Sequence, residues 1–175
     1  MKNDHPPEWM KKTIIRRVRF EDLSALEWDG EYSHFRVVYQ NTFERATQGQ
    51  AVLWVAECEG KGIIGQVFVQ LECDRPELAN GTTHAYMFSF RIKPEYRDQG
   101  LGSRILEIIE TDLRKRGFRF LTLNVAKENT PAIRLYEKRG YHIVAHEEGN
   151  WSYPDADGHW HQVKEPAWRM EKDLY

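Results

Sequence analysis

The segment Tyr96-Arg97-Asp98-Gln99-Gly100-Leu101-Gly102-Ser103 constrains this chain more than any other. Behind it Leu101, Ile105, Ile109 and Leu113 recur every four residues, with Leu106 and Ile108 alongside, which predicts a helix with one apolar face. Ahead of it residues 85–92 (AYMFSFRI) are aromatic and apolar, read as a strand, and are stopped by Pro94. A strand therefore enters a glycine-bearing turn that opens a helix. Gly100 and Gly102 let the backbone bend sharply and approach a ligand closely. The first amides of the helix lack intrahelical partners and sit at the positive end of its dipole. Together these features make a phosphate site.

The spacing narrows which phosphate. A P-loop needs Gly-Lys-Ser/Thr, and Gly102 is followed by Ser103 and Arg104. A dinucleotide fingerprint needs Gly or Ala three residues after Gly102, and that position is Ile105. The string Arg97-x-x-Gly100-x-Gly102 after a strand resembles motif A of the GNAT acetyltransferases. Taken alone it also fits a tight strand-to-helix turn that holds nothing.

A second pattern lies downstream. Residues 120–125 (FLTLNV) read as a strand, and Asn129-Thr130-Pro131 then opens a helix, with Thr130 as its cap and Pro131 at its first position. Ala132, Leu135 and Tyr136 share one face, and Arg139-Gly140 closes the helix. The run Asn129-x-x-Ala132-x-x-Leu135-Tyr136-Glu137-Lys138-x-Gly140-Tyr141 resembles motif B of the same family. The resemblance covers residues 13–145 and a final strand near 167–172.

It implies a fold: α/β (α+β), a mixed, mostly antiparallel central sheet of six to seven strands flanked by about four helices. From pattern alone the chain reads only as a mixed α/β or α+β sheet. The elements run from a strand at 13–19 through two helical pieces broken near Asp29-Gly30. A hairpin follows over 52–57 and 63–71, then a loop at 74–84 and the strand–helix core, with last strands at 142–145 and 168–172. Residues 147–166 read as a long polar insertion turning at Asp157-Gly158. With 175 residues and 41% hydrophobic content, one domain over 13–175 is expected, after a disordered arm over 1–12.

The resemblance also implies acetyl-CoA as co-substrate. Amides of Arg97, Asp98, Gln99, Gly100, Leu101, Gly102 and Ser103 would meet the pyrophosphate, Phe90, Arg91 and Ile92 would pair with the pantetheine, and Asn129 would contact the cofactor arm. A strand amide would donate to the thioester oxygen. Asn129 also reads as a cap or turn residue. Tyr136 is the expected general acid, since a phenol with pKa about 10 is protonated at neutral pH and can donate to a departing thiolate. It also reads as an aromatic packing residue on a buried helix face.

The base is less defined. Some relatives that acetylate protein N-termini carry Glu twelve residues before this tyrosine, where this chain has Asn124, which cannot take a proton. Glu31 and Glu147 are the leading candidates, with Glu27 and Glu148 beside them; a water relay or an amine of low pKa is the other route. Acids (Glu27, Asp29, Glu31, Glu147, Glu148, Asp155, Asp157) interleaved with Trp28, Tyr32, Trp151, Tyr153 and Trp160 suit a cationic amine; they equally suit a charged surface over core aromatics. The spacing of His142, His146, His159 and His161 matches no zinc motif, so no metal is expected.

A net charge of −2 gives no global field toward nucleic acid or an anionic membrane, and no apolar run nears the ~20 residues of a spanning helix. Cys58 and Cys73 read as reduced structural thiols in a cytoplasmic chain. The expected activity is direct acetyl transfer from acetyl-CoA to a primary amine of a small molecule or peptide. A non-catalytic acyl-CoA-binding module of the same fold is the alternative, and a homodimer built on the 147–166 insertion is a further possibility.

Overall fold

The computed structural model describes residues 5–175. Its centre is a seven-stranded sheet, formed by β1 (Thr13–Arg17), β2 (Ala51–Cys58), β3 (Gly62–Gln70), β4 (His84–Ile92), β5 (Phe120–Ala126), β6 (His142–Glu147) and β9 (Ala167–Asp173) in the order β1-β2-β3-β4-β5-β9-β6. Every neighbouring pair is antiparallel except β4 and β5, which run parallel. A parallel pair needs a crossover, and α3 (Leu101–Lys115) supplies it.

Helix α3 forms where the apolar spacing predicts it. Leu101, Ile105, Leu106, Ile109 and Leu113 are buried on the sheet together with Leu121 and Leu123 of β5, each contributing roughly 1.5–3 kcal/mol. The same face buries Glu110, which the periodicity does not foresee. Its carboxylate is answered by Lys172 and by the Tyr141 hydroxyl at 3.4 Å. Helix α4 (Thr130–Lys138) lies on this side as well, with Tyr136 buried. Its cap is Asn129, whose side chain accepts the Ala132 amide at 3.3 Å; Thr130 and Pro131 are already helical, so the cap lies one residue before the expected Thr130.

The opposite face carries a second core of Leu26, Tyr39, Leu53, Val55 and Phe68. Over it lie two 3-10 helices, Phe20–Glu27 and Ser33–Phe35, and α2 (Arg36–Thr47). The break near Asp29-Gly30 is real: Trp28, Asp29 and Gly30 are all left-handed, at φ 47°, 55° and 100°. Asp22 moors the first 3-10 helix, accepting two bonds from Arg16 (2.7 and 2.9 Å) and one from the Arg19 amide (2.7 Å).

Two expectations change. Within the 1–12 arm, residues 1–4 lie outside the described residues, but Glu8–Lys11 forms a helical turn, α1, with Met10 buried and Trp9 donating to Gln99 at 3.2 Å. Residues 147–166 contain a separate hairpin, β7 (Asn150–Pro154) and β8 (Trp160–Lys164). Its turn is closed by Asp155, which accepts the amides of Asp157 and His159 and the ring nitrogen of His161. Polar composition hid these strands because the hairpin is covered on one side only, where Tyr153 packs on Phe35 at 4.8 Å and Trp151 on Phe35 at 6.2 Å. Cys58 is buried and Cys73 partly so, and both are free thiols. Among the described residues no helix is long and apolar enough to cross a membrane.

Candidate active site

The site begins with a fault in β4. Opposite Val67 of β3 the register shifts, so that Ser89 and Phe90 face one residue, and Ser89 is left-handed at φ 50°. The parallel ladder with β5 stops at Met87↔Leu123, whereas β5 stays paired with β9 as far as Ala126. Beyond Met87 the two strands therefore part, and the edge of β4 from Phe88 to Ile92 faces an opening instead of a neighbour. Unpaired strand edge of this kind accepts an extended ligand by backbone pairing.

At the end of β4 the Arg97 side chain donates to the Ile92 carbonyl at 2.7 Å, which folds the following loop back on the strand. Asp98 (φ 58°) and Gly100 (φ 100°) are left-handed and turn the chain into α3. The Arg104 amide is bonded to the Gly100 carbonyl at 3.1 Å; the amides of residues 98–103 before it donate to nothing among the described residues. They form a concave set of donors at a helix N-terminus, suited to a pyrophosphate. The two glycines differ in role. A Cβ on Gly100 would enter open space, so its conformation is what matters. A Cβ on Gly102 would stand 3.2 Å from Leu135 and 3.7 Å from Phe90, so there glycine serves helix packing.

Phe90 and Ile92 point toward α3, and Arg91 points to the other face. The residues expected to hold the cofactor thus line one continuous path along β4 and the loop, except Asn129. That residue lies at the α4 end of the opening, with its side-chain oxygen engaged as cap.

Tyr136 of α4 is buried in the core on the α3 side of the sheet, its ring on that of Tyr141 at 5.7 Å. Burial, with the Tyr86 phenol close by, pushes its hydroxyl well above the ordinary tyrosine value. Tyr86 of β4 is pushed up to about 12, chiefly by burial; Arg75 acts against this, while Cys73 and Glu147 add to it. Nothing in the sequence singled out Tyr86; an aromatic in a strand carries no signal of its own. Asn124, on the adjoining stretch of β5, has a buried side-chain oxygen with no partner among the described residues.

The two proposed bases end up in different settings. Glu147 accepts from Arg75 at 2.7 Å and from Arg169 at 3.3 Å, and it lies near Tyr86. Glu31 is exposed in the turn between the 3-10 helices. Glu27 is bound by Arg36 through both carboxylate oxygens at 2.8–3.2 Å. Of the aromatic residues expected near an amine, Trp28, Tyr32, Tyr153 and Trp151 gather in successive contact through Phe35, whereas Trp160 is exposed and lies apart from them. Phe35, missed in the sequence reading, is their centre.

A model described as "Acetyltransferase (GNAT) family" matches residues 17–141. This chain belongs to that family. Among curated GNAT relatives, the [Ribosomal protein bS18]-alanine N-acetyltransferase of Escherichia coli (strain K12) is 40% identical over 74 residues, 42% of this chain and 49% of that protein. The match thus spans about half of that relative's length. The N-terminal acetyltransferase B complex catalytic subunit NAA20 of Arabidopsis thaliana is 32% identical over 136 residues, 75% of this chain and 74% of that protein. Among solved structures, Ard1 from Thermoplasma volcanium superposes with TM-score 0.71 at 16% identity, covering 94% of this chain and 99% of its own. Arabidopsis thaliana NAA60 in complex with acetyl-CoA gives 0.70 at 19% identity, covering 92% and 98%. These likenesses establish the GNAT fold, with its mixed, mostly antiparallel sheet.

Proposed function

We propose that this GNAT protein is an acetyl-CoA-dependent N-acetyltransferase that transfers the acetyl group directly to a primary amine, and that the amine is the α-amino group of a polypeptide. One observation carries the reading: the open edge of β4 from Phe88 to Ile92 runs directly into the unpaired amides of residues 98–103. An extended thiol arm ending in a pyrophosphate matches that combination, with the arm on the strand edge and the phosphates in the amide cradle. The thioester would then lie over Tyr136. Relatives named as N-terminal and ribosomal-protein-alanine acetyltransferases favour a polypeptide acceptor.

The amine nitrogen attacks the thioester carbonyl, a backbone amide of β4 receives charge on the oxygen, and the sulfur leaves. Tyr136 hydrogen-bonds to the departing sulfur. A thiol has pKa about 8.5, below that of a buried phenol, so full proton transfer is uphill and the effect belongs at the low end of the ~10²–10⁴-fold range for general acids. Glu147 is already held by two guanidinium groups and Glu31 is exposed, so the amine proton leaves most readily through water. An α-amine suits this arrangement: its pKa near 7.7–8.0 leaves a sizeable neutral fraction, whereas a lysine at about 10.4 costs about 4 kcal/mol to deprotonate at neutral pH. Of the carboxylates expected to favour a cationic acceptor, Glu27 and Glu147 are engaged with arginines, and Asp29 and Glu31 are exposed, where solvent screens any pairing with a further positive charge.

The test combines calorimetry with coenzyme A and thiol release from acetyl-CoA over a panel of peptides, polyamines and amino acids. Micromolar cofactor binding with transfer to peptide α-amines is expected. Cofactor binding without transfer to any acceptor would identify the acyl-CoA-binding module instead, and no binding at millimolar concentration would overturn both.

A further inference from the structure

Arg91 leaves β4 on the face opposite Phe90 and Ile92, and its guanidinium lies 3.8 Å above the ring of Tyr32, with Phe35 5.6 Å away. It donates to the Tyr39 hydroxyl, while its Nε is buried without a partner. Two residues on, Lys93 holds its ammonium 5.9 Å from the ring of Trp28. Neither cation pairs with a carboxylate among the described residues. The acids of the region are engaged elsewhere, Glu27 by Arg36, Glu147 by Arg75 and Arg169, and Asp155 by His161. Glu31 and Asp29 are exposed and make no ion pair with either cation. The aromatic group that a cationic substrate would occupy is therefore filled by the protein's own guanidinium, whose charge no carboxylate among the described residues answers.

We propose that Arg91 is the specificity-determining residue of the acceptor cleft and selects amines that carry a carboxylate within one or two residues of the reacting nitrogen. The proposal rests on the reading of this cleft as the acceptor site. A partly desolvated guanidinium without a carboxylate partner binds a carboxylate through short, charge-assisted hydrogen bonds, and its stacking on Tyr32 fixes the plane in which they form. Arg91 stands two residues past the bulge at Ser89, about 7 Å along the strand, which is the reach of a side chain near a peptide N-terminus. The carboxylate can be an Asp or Glu side chain of a peptide or the α-carboxylate of a free amino acid.

The test uses the full chain with acetyl-CoA. The acceptors are C-terminally amidated peptides identical except for Asp, Asn or Lys at position one, two or three, with free aspartate, glutamate and methionine as the second arm. Wild type is expected to favour Asp over Asn by about tenfold in kcat/KM at one of the first two positions, with Lys poorest and the preference shrinking with salt. Activity confined to the free amino acids assigns the carboxylate to that source. Arg91→Gln should bring the Asp/Asn ratio within about twofold of unity, and Arg91→Lys should retain part of it. Calorimetry of the same peptides on the protein saturated with coenzyme A reads the preference without turnover. Selective binding with no transfer would overturn the proposed activity and leave Arg91's role standing. Transfer with an Asp/Asn ratio near unity in wild type, or a ratio unchanged in Arg91→Gln, would overturn the role itself. If the glutamine variant does not fold, the wild-type ratio and its salt dependence decide.

Discussion

The two sides of the cleft are built by different physics. The side proposed for the cofactor consists of β4, the loop 97–100 and the first turn of α3, where backbone groups face outward and side chains fasten the loop from behind. The side proposed for the acceptor consists of two short 3-10 helices and the β7–β8 hairpin, whose contacts are aromatic rings and paired charges. Backbone donors can serve one ligand only, because their geometry is fixed by the fold. Rings and ion pairs can be exchanged without disturbing the sheet, so that side is free to set specificity.

Substitutions on each side test this division. The largest effect is expected from Tyr136→Phe, which should lower kcat about 100-fold with cofactor affinity little changed. An equal loss of affinity would make Tyr136 a packing residue. Because burial raises the Tyr136 hydroxyl well above its usual value, the wild-type rate on a peptide α-amine should climb through pH 8 and not fall again before about pH 10.

Gly100→Ala comes next. With φ at 100° and nothing near its Cβ, the cost is purely conformational, about 1–2 kcal/mol, and coenzyme A should bind about tenfold more weakly. Gly102→Ala is crowded by the flexible end of Leu135, with Ile92 and Phe90 at ordinary contact distance, and should cost less than about 1 kcal/mol. Comparable losses at both positions would show that packing, not loop conformation, sets the cradle.

Tyr153→Ala should raise KM for the peptide several-fold, about 1 kcal/mol for a lost aromatic contact, and leave cofactor binding intact. If it weakens coenzyme A instead, the two sides are not separable. Asp22→Asn should cost about 1 kcal/mol of stability at neutral pH by loosening the first 3-10 helix. The hydrogen bond from Arg16, foremost, holds the Asp22 carboxyl below its ordinary value. Its contribution is therefore full above the unfolded value near 3.9 and lost as pH falls through the lower folded one. Thermal melts of wild type and variant should stay apart down to about pH 4 and converge only as pH falls further, through the lowered folded value.

The same division governs what could be read from the sequence. Motif A was legible because Gly100, the apolar stripe of α3 and the strand before it act through neighbours in the chain. The break at Trp28–Gly30 was legible for the same reason. The bulge at Ser89 was not, since an ordinary serine gives no sign that it will be left-handed; the register of β3 against β4 forces it there. The cap at Asn129 was placed one residue late because Asn, Thr and Pro in succession offer two plausible starts. The hairpin at 150–164 escaped notice because its strands bury only what Phe35 and His34 cover.

The chain order of strand, glycine turn and amphipathic helix, together with the run from Asn129 to Tyr141, by itself determined the left-handed entry into α3 and the family to which the protein belongs. Helix periodicity and left-handed turns are local preferences, written over a few adjacent residues. Only the tertiary structure decided that β4 and β5 part after Met87, that Tyr136 is buried on Tyr141, and that Arg91 stands without a carboxylate partner among Tyr32, Phe35 and Tyr39. Each of those depends on which charges and rings from remote segments are already engaged, and a linear sequence does not carry that accounting.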